Sequence, residues 1–377
     1  MSTVPLLERC ANLAPALLIQ PPAVEQAAVQ LREISNGMRW SWACRVLKQP
    51  APDLISRENA RAPKAGDLAV VQVTELGCHE RITTRENMRL RIYAGDYLAC
   101  VFGNRYATDA YEGLVEDVEN LSLLTAGGMI GTVRSRHRST GRPTNVRFVG
   151  YLGGANGEIL NLKRLAFKPK NPGMTPANLI AVVGTGMNAG KTTSCVRLIK
   201  GLSDLGLRVA ACKLTGSVSN RDQDEMRAAS AVRVLDFSDY GFPSTYLCPK
   251  TELMSLFRTM MADIAPSAPD VVVMEIADGI LQRETAMLLE EARIRTALQG
   301  VVLAADNALS AHFGVQRLHS LGHDVLGVTG LLTSSPLCVR EFNELSDVPV
   351  ASSAGSGSPL AELVTARLAQ PPARRGR

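Results

Sequence analysis

Apolar and polar positions follow three rhythms along the chain. Between residues 24 and 48 apolar residues recur at three- and four-residue intervals, broken near Gly37, which predicts one or two helices. Pro50, Pro52 and Pro63 punctuate the polar stretch that follows. From Gly66 the runs become short and β-prone: DLAVVQV from Asp67, MRLRIYA from Met88, YLACVFG from Tyr97, MIGTV from Met129, VRFVGYL from Val146 and ILNL from Ile159. Strands this short, separated by Gly, Asn and Asp, predict a small antiparallel barrel or sandwich. After the proline-rich PKNPGMTPAN from Pro169, buried-looking runs alternate with helical stretches of ten to fifteen residues. The runs are LIAVV, RVAACKL, VRVLDF, VVVMEI, VVLAAD and VLGVTGLL, from Leu179, Arg208, Val232, Val271, Val301 and Val325. Near-continuous apolar strands joined by helical crossovers require a mostly parallel sheet covered on both faces, a doubly wound α/β fold.

The expected organisation is therefore a helical segment and linker over 1–62, a small β-rich domain over 63–168, a linker over 169–177, a doubly wound domain over 178–352, and a C-terminal helix and tail over 353–377. A length of 377 residues suits two or three domains with cores of their own. Hydrophobic residues at 46% and charged residues at 20% are ordinary globular values. The formal charge of +5 is too weak over this length to imply nucleic acid. No apolar run is long enough to cross a bilayer, and no basic-then-apolar leader opens the chain, so a cytoplasmic location without membrane contact is expected. The eight cysteines are scattered, with no C-x-x-C pair, and read as reduced thiols.

Chemistry concentrates where the first strand of the α/β domain runs into GTGMNAGKTT, Gly184 to Thr193, and then into an amphipathic helix. Strand, glycine-rich turn and helix start aim backbone N–H groups and the positive end of the helix at one point, which suits a phosphate chain. Gly184, Thr185, Gly186, Met187, Asn188, Ala189 and Gly190 form the cradle; Lys191 reaches the terminal phosphates, the Thr192 hydroxyl can ligate Mg²⁺, and Thr193 continues the helix. Thr185 stands where the G-x-x-x-x-G-K-[ST] pattern has its first glycine.

This variant spacing resembles dethiobiotin synthetase and the related amidases that act on cobyrinate. They belong to the wider class of P-loop NTPases that also holds signal-recognition and partitioning proteins. The resemblance covers residues 178 to 352. KLTG from Lys213 is similar to the K-P-x-x-T-G of the synthetase, which implies that Lys213 sits near phosphates and substrate. EIADG from Glu275 is similar to the family's E-G-A-G-G, whose glutamate binds magnesium. The resemblance also places a metal-binding aspartate after the second strand; in SVSNRDQDEM that is Asp222, while Asp224 reads as an N-terminal carboxylate of the next helix. The chain departs from the family at Gly186 and at Ile276 with Asp278, where substrate should approach.

Lys191, Lys213 and Glu275 are the candidate catalytic residues, and Thr192, Asp222 and Glu275 the candidate magnesium ligands. The expected activity is ATP- and Mg²⁺-dependent phosphoryl transfer to a carboxylate or carbamate oxygen of a small anionic molecule, of ligase or kinase type. A nucleotide-hydrolysing switch or assembly factor acting on a protein partner is the alternative, and a homodimer stays open. The absence of N-K-x-D near TSSPL from Thr333 favours ATP over GTP. Three features have two readings, and a fourth has one. VLDFSDYGFPSTY from Val234 is a substrate-sensing loop or a solvated turn. Arg283 holds an anion or pairs with Glu284 or Glu290. Arg134, Arg136, His137, Arg138 and Arg142 meet an anion or blunt a hairpin edge. Cys78 and His79, as neighbours on a strand, should face opposite sides.

Overall fold

Period-two alternation builds the first sheet. In β3 (Leu68–Glu75) and β6 (Tyr97–Phe102), Ala69, Val71 and Val73 and then Leu98, Cys100 and Phe102 face one core. The computed structural model describes residues 34, 37–47, 53–56, 61–154, 156–171, 178–352 and 358–369, and Arg39–Arg377 form one compact unit. Around β3 and β6 are β1 (Arg39–Trp40), β2 (Asp53–Ser56), β7 (Tyr111–Leu114), β8 (Leu121–Leu123), β9 (Met129–Arg136) and β10 (Thr144–Gly153). A small hairpin, β4 (Arg81–Thr83) with β5 (Arg89–Arg91), stands apart.

Five of these strands pair in a ring, β6 to β3 to β10 to β8 to β9 and back to β6. The small antiparallel barrel or sandwich expected from strand lengths is thus corrected in its pairing: β6 runs parallel to β9, with Val101 opposite Met129, and parallel to β1. Two register shifts in the β3–β10 ladder, one between Phe148 and Gly150, supply the bends that closure demands. Phe102, Phe148 and Tyr151 fill the interior with ring centroids 4.9–6.2 Å apart.

Most of the helical stretch expected over 24–48 lies outside the described residues, as do Cys10, residues 172–177 of the expected linker and the last residues of the tail. The end of that stretch is not α-helical. Arg39 and Trp40 pair with Leu98 and Ala99, and Trp42–Val46 form a 3-10 helix. Pairing with an available barrel strand, and burial of Trp42, Ala43 and Cys44, override the local periodicity there. Cys78 and His79 also differ from expectation. They lie between β3 and β4 rather than on a strand, and the Cys78 sulfur comes 3.4 Å from His79 Nδ1 and 2.8 Å from the Tyr111 hydroxyl.

A short helix, α1 (Leu162–Ala166), precedes the second sheet. Its strands are β11 (Leu179–Gly184), β12 (Val209–Lys213), β13 (Arg233–Asp236), β14 (Val271–Gly279), β15 (Leu298–Ala304) and β16 (Val325–Thr329). All are parallel, in the order β13-β12-β14-β11-β15-β16. In β11 Leu179, Ala181 and Val183 enter one core and Ile180 and Val182 the other, so the strand is buried on both faces. Helices α2 (Lys191–Asp204), α3 (Arg221–Ala228) and α9 (Ser358–Leu368) cover one face. The other face is covered by α4 (Lys250–Ile264), α5 (Arg283–Glu290), α6 (Ala292–Ala297), α7 (Ala308–Ser320) and α8 (Pro336–Asn343). No helix among the described residues is long and apolar enough to cross a membrane.

Candidate phosphate-binding site

Parallel strands deliver all their carboxyl ends to one edge, and the loop Gly184–Thr193 sits there between β11 and α2. Gly190 opens α2 at φ +98°, with Gly330 Cα only 3.1 Å from where its Cβ would stand. Gly330, at φ +93°, faces back: a Cβ there would lie 2.2 Å from the Ala189 carbonyl oxygen. The turn after β16 and the tip of the phosphate loop are therefore packed backbone to backbone, and only glycine fits. Leu331 N–H donates to Ala189 O at 3.2 Å and Thr185 N–H to Ala304 O at 3.0 Å.

Lys191 is buried at 7% exposure, and its Nζ donates to Gly186 O at 2.7 Å. Burial pulls its pKa below the ordinary value, opposed by Glu275 and Asp278. Lys213, from the end of β12, pairs with Asp222 and lies 3.4 Å from Glu275 Oε1. Burial works against its charge, but Glu275 and Asp222 more than offset this and hold the ammonium well above its usual range. Thr192 Oγ1 donates to the same Glu275 Oε1 at 3.0 Å. Glu275 is 1% exposed, and its other oxygen, Oε2, has no hydrogen-bond partner among the described residues.

The candidate residues Lys191, Thr192, Lys213, Asp222 and Glu275 are thus gathered in one place. A cleft of about 340 Å³, lined in part by Asn188, Arg221 and Leu331, opens over three of them, Lys191, Thr192 and Asp222. Its volume suits a small ligand. The orphaned Glu275 oxygen beside a threonine hydroxyl fits a hard divalent cation, which takes oxygen ligands and keeps several waters. Among the described residues no three carboxylate, imidazole or thiolate groups converge, so phosphate oxygens would complete such a shell. Asp224 faces elsewhere, accepting from Asn87 and Asn220 and pairing with Arg227.

The barrel reaches this edge directly. Thr108 N–H donates to Met187 Sδ at 3.2 Å, and Asn188 donates to Asp109 Oδ2 at 2.7 Å, so the phosphate loop is latched from outside its own sheet. Asn87 and Asn220 are bonded across the junction, and Arg45 pairs with Asp239 at 2.5 Å. Neither these contacts nor the exposure of Arg221 above the cleft is legible in the sequence around the motif. Arg221 immediately precedes Asp222, which is the one local cue that it had.

The segment from Val234 is not a solvated turn. Phe237, Tyr240, Phe242, Ser244 and Thr245 are all buried, and Asp236 and Asp239 form a reciprocal cap on a 3-10 turn. Burial, then the neighbouring Asp239 charge, push the Asp236 carboxyl up to about 7 against the opposing pull of Ser238 and Lys213. Arg283 pairs with Glu284, which is 1% exposed and also accepts from Leu247 N–H at 3.0 Å. In the basic stretch of the barrel, Arg134 pairs with Glu116 and His137 bonds Ser139, both exposed.

No protein-family model matches the chain, and no curated protein matches it. Solved structures similar to it include the signal recognition particle receptor FtsY from Elizabethkingia anophelis in complex with GDP. That pair is 19% identical over 54% of this chain and 65% of that one, with a TM-score of 0.35. FtsY from Thermotoga maritima is 16% identical over 54% of this chain and 73% of that one, with a TM-score of 0.33. The kinase domain of Escherichia coli tyrosine kinase ETK is 15% identical over 41% and 67%, with a TM-score of 0.31. This chain spans just under two thirds of the length of the first FtsY structure, 65%, and the chemistry rests on its own geometry.

Proposed function

We propose that the chain is an ATP- and Mg²⁺-dependent enzyme that activates a carboxylate or carbamate oxygen of a small molecule by phosphoryl transfer. The observation that carries this reading is the convergence of Lys191, Thr192, Lys213 and an orphaned Glu275 oxygen at the carboxyl edge of a parallel sheet. Thr192, Glu275 and Asp222 would hold the magnesium ion, which when bound neutralises phosphate charge and orients the phosphates. Lys191, now bonded to Gly186 O, would exchange that carbonyl for phosphate oxygens. Lys213 stays charged at any physiological pH because Asp222 and Glu275 face it, so it stabilises the charge that spreads over the transferred group. Little covalent help is needed from the protein; holding donor and acceptor in line supplies most of the effect.

The alternative, a nucleotide-driven switch acting on a protein partner, uses the same loop. Titration calorimetry with a non-hydrolysable ATP analogue and Mg²⁺, followed by phosphate release with panels of small carboxylates and amines, separates the two. Binding plus many-fold stimulation by one small molecule is expected. Stimulation by protein alone would favour the switch, and absence of heat with any nucleoside triphosphate would overturn both.

A further inference from the structure

One pair of charges on the wall of the phosphate-loop cleft has no part in the phosphoryl-transfer reading. Helix α3 is set in place by the barrel: Asn220, just before it, donates to Asn87 Oδ1 at 2.7 Å, and Asn87 donates to Asp224 Oδ2 at 2.9 Å. Gln223 and Met226 are buried beneath the helix, and Asp222 turns in to Lys213. Beside Asp222, the helix therefore lines the cleft with Arg221 and Glu225. They stand one helical turn apart, and Arg221 Nε donates to Glu225 Oε1 at 2.7 Å.

The inner groups of the site are held by backbone or buried partners, Lys191 by Gly186 O, Thr192 by Glu275 and Asp222 by Lys213. The outer pair is not. The Arg221 side chain is 79% exposed and that of Glu225 37%, and an ion pair so wetted contributes little, so it opens at small cost. Charge favours its opening. Lys191, Lys213 and Arg221 balance Asp222, Glu225 and Glu275 before any ligand arrives, and a triphosphate keeps excess negative charge even with one magnesium ion bound. A guanidinium released from Glu225 would offer phosphate oxygens a planar, two-pronged set of donors. The carboxylate left behind accepts and cannot donate, so phosphates offer it nothing. The ribose of the same nucleotide offers two neighbouring hydroxyl donors, which match its two oxygens.

We propose that Arg221 and Glu225 are an exchangeable pair that reads the nucleotide, Arg221 moving to the phosphates and Glu225 accepting from the ribose hydroxyls, so that the cleft selects ribonucleotides over deoxyribonucleotides. The proposal rests on nucleotide binding in the reading above, and it holds whether the nucleotide drives group transfer or a switch. The adenine amino group is the other donor that such a ligand carries. Inosine triphosphate, which lacks that group and keeps both hydroxyls, separates base from ribose.

The test uses the full chain with Mg²⁺ and follows displacement of the non-hydrolysable ATP analogue by calorimetry. The probes are ATP, 2′-deoxy-ATP, 3′-deoxy-ATP and inosine triphosphate. At least one deoxy form is expected to bind about tenfold or more weakly than ATP. E225A should abolish that preference and leave the ratio of ATP to inosine triphosphate unchanged. R221Q should weaken ATP about tenfold and keep the preference. Melting of the nucleotide-free variants checks their folding. Equal affinity of the unaltered chain for ATP and both deoxy forms overturns the ribose site with no variant needed. A folded E225A chain that keeps the preference, or a loss confined to inosine triphosphate, overturns it too, and unchanged ATP affinity in folded R221Q overturns the exchange. Absence of heat with the ATP analogue in the unaltered chain would instead overturn the nucleotide reading itself.

Discussion

Glu275 shows how one side chain can hold a site in tension. Its Oε1 serves both Thr192 and Lys213 while Oε2 has no partner, a buried arrangement that costs about 1–3 kcal/mol or more when left unmade. Removing the Lys191 ammonium should cost about 3 kcal/mol of transition-state stabilisation, so K191A is expected to lower turnover about a hundredfold or more, read by steady-state phosphate release. Asp236 gives a second prediction. Folding raises its pKa from 3.8 to about 7, so the neutral acid favours the folded state. The stability this supplies is fully present below about pH 3.8 and is lost as pH rises through about 7, with Asp239, Lys213 and Arg45 as the facing charges. D236N, which keeps a capping oxygen, should flatten that slope in denaturant titrations between pH 4 and 8. At this scale the sequence disclosed Lys191 and Thr192, because the loop that carries them is contiguous. Asn188 and Asp109 meet across 79 residues, and no local pattern announces such a pair.

Elements were legible in proportion to how locally they are determined. The six parallel strands showed themselves as apolar runs because both faces of each are buried. The 3-10 turn at Trp42–Val46 and the parallel closure of the barrel were not legible, since each depends on a partner strand far away in sequence. Gly330 belongs to the second kind: an unremarkable glycine in VLGVTGLL, it proves to be the floor under Ala189. G330A should destabilise the fold by about 1–3 kcal/mol from backbone strain alone and weaken binding of the ATP analogue. A denaturation midpoint and a calorimetric titration would check both. Unchanged affinity would show that the loop position does not depend on this packing.

The two sheets are joined at the edge that carries the candidate site, through Thr108 with Met187, Asp109 with Asn188, Asn87 with Asn220, and Arg45 with Asp239. Both tryptophans of the chain, Trp40 and Trp42, lie on the barrel side. If the sheets unfold as one, their fluorescence should follow an event on the other sheet. Saturating nucleotide analogue at about a hundred times its dissociation constant adds about 2.7 kcal/mol of stability. The melting transition seen by tryptophan emission should then shift upward by the same amount as that seen by circular dichroism. Separate shifts would mean that the halves unfold independently.

The Met187 contact has a consequence for how damage to this protein would present itself. A methionine sulfur that receives a main-chain donor is an oxidisable fastener, and adding one oxygen to it changes its shape and polarity. Peroxide exposure would then loosen the clasp between barrel and phosphate loop through the Met187 side chain, leaving Lys191 and Thr192 chemically unaltered, and a methionine sulfoxide reductase could restore it.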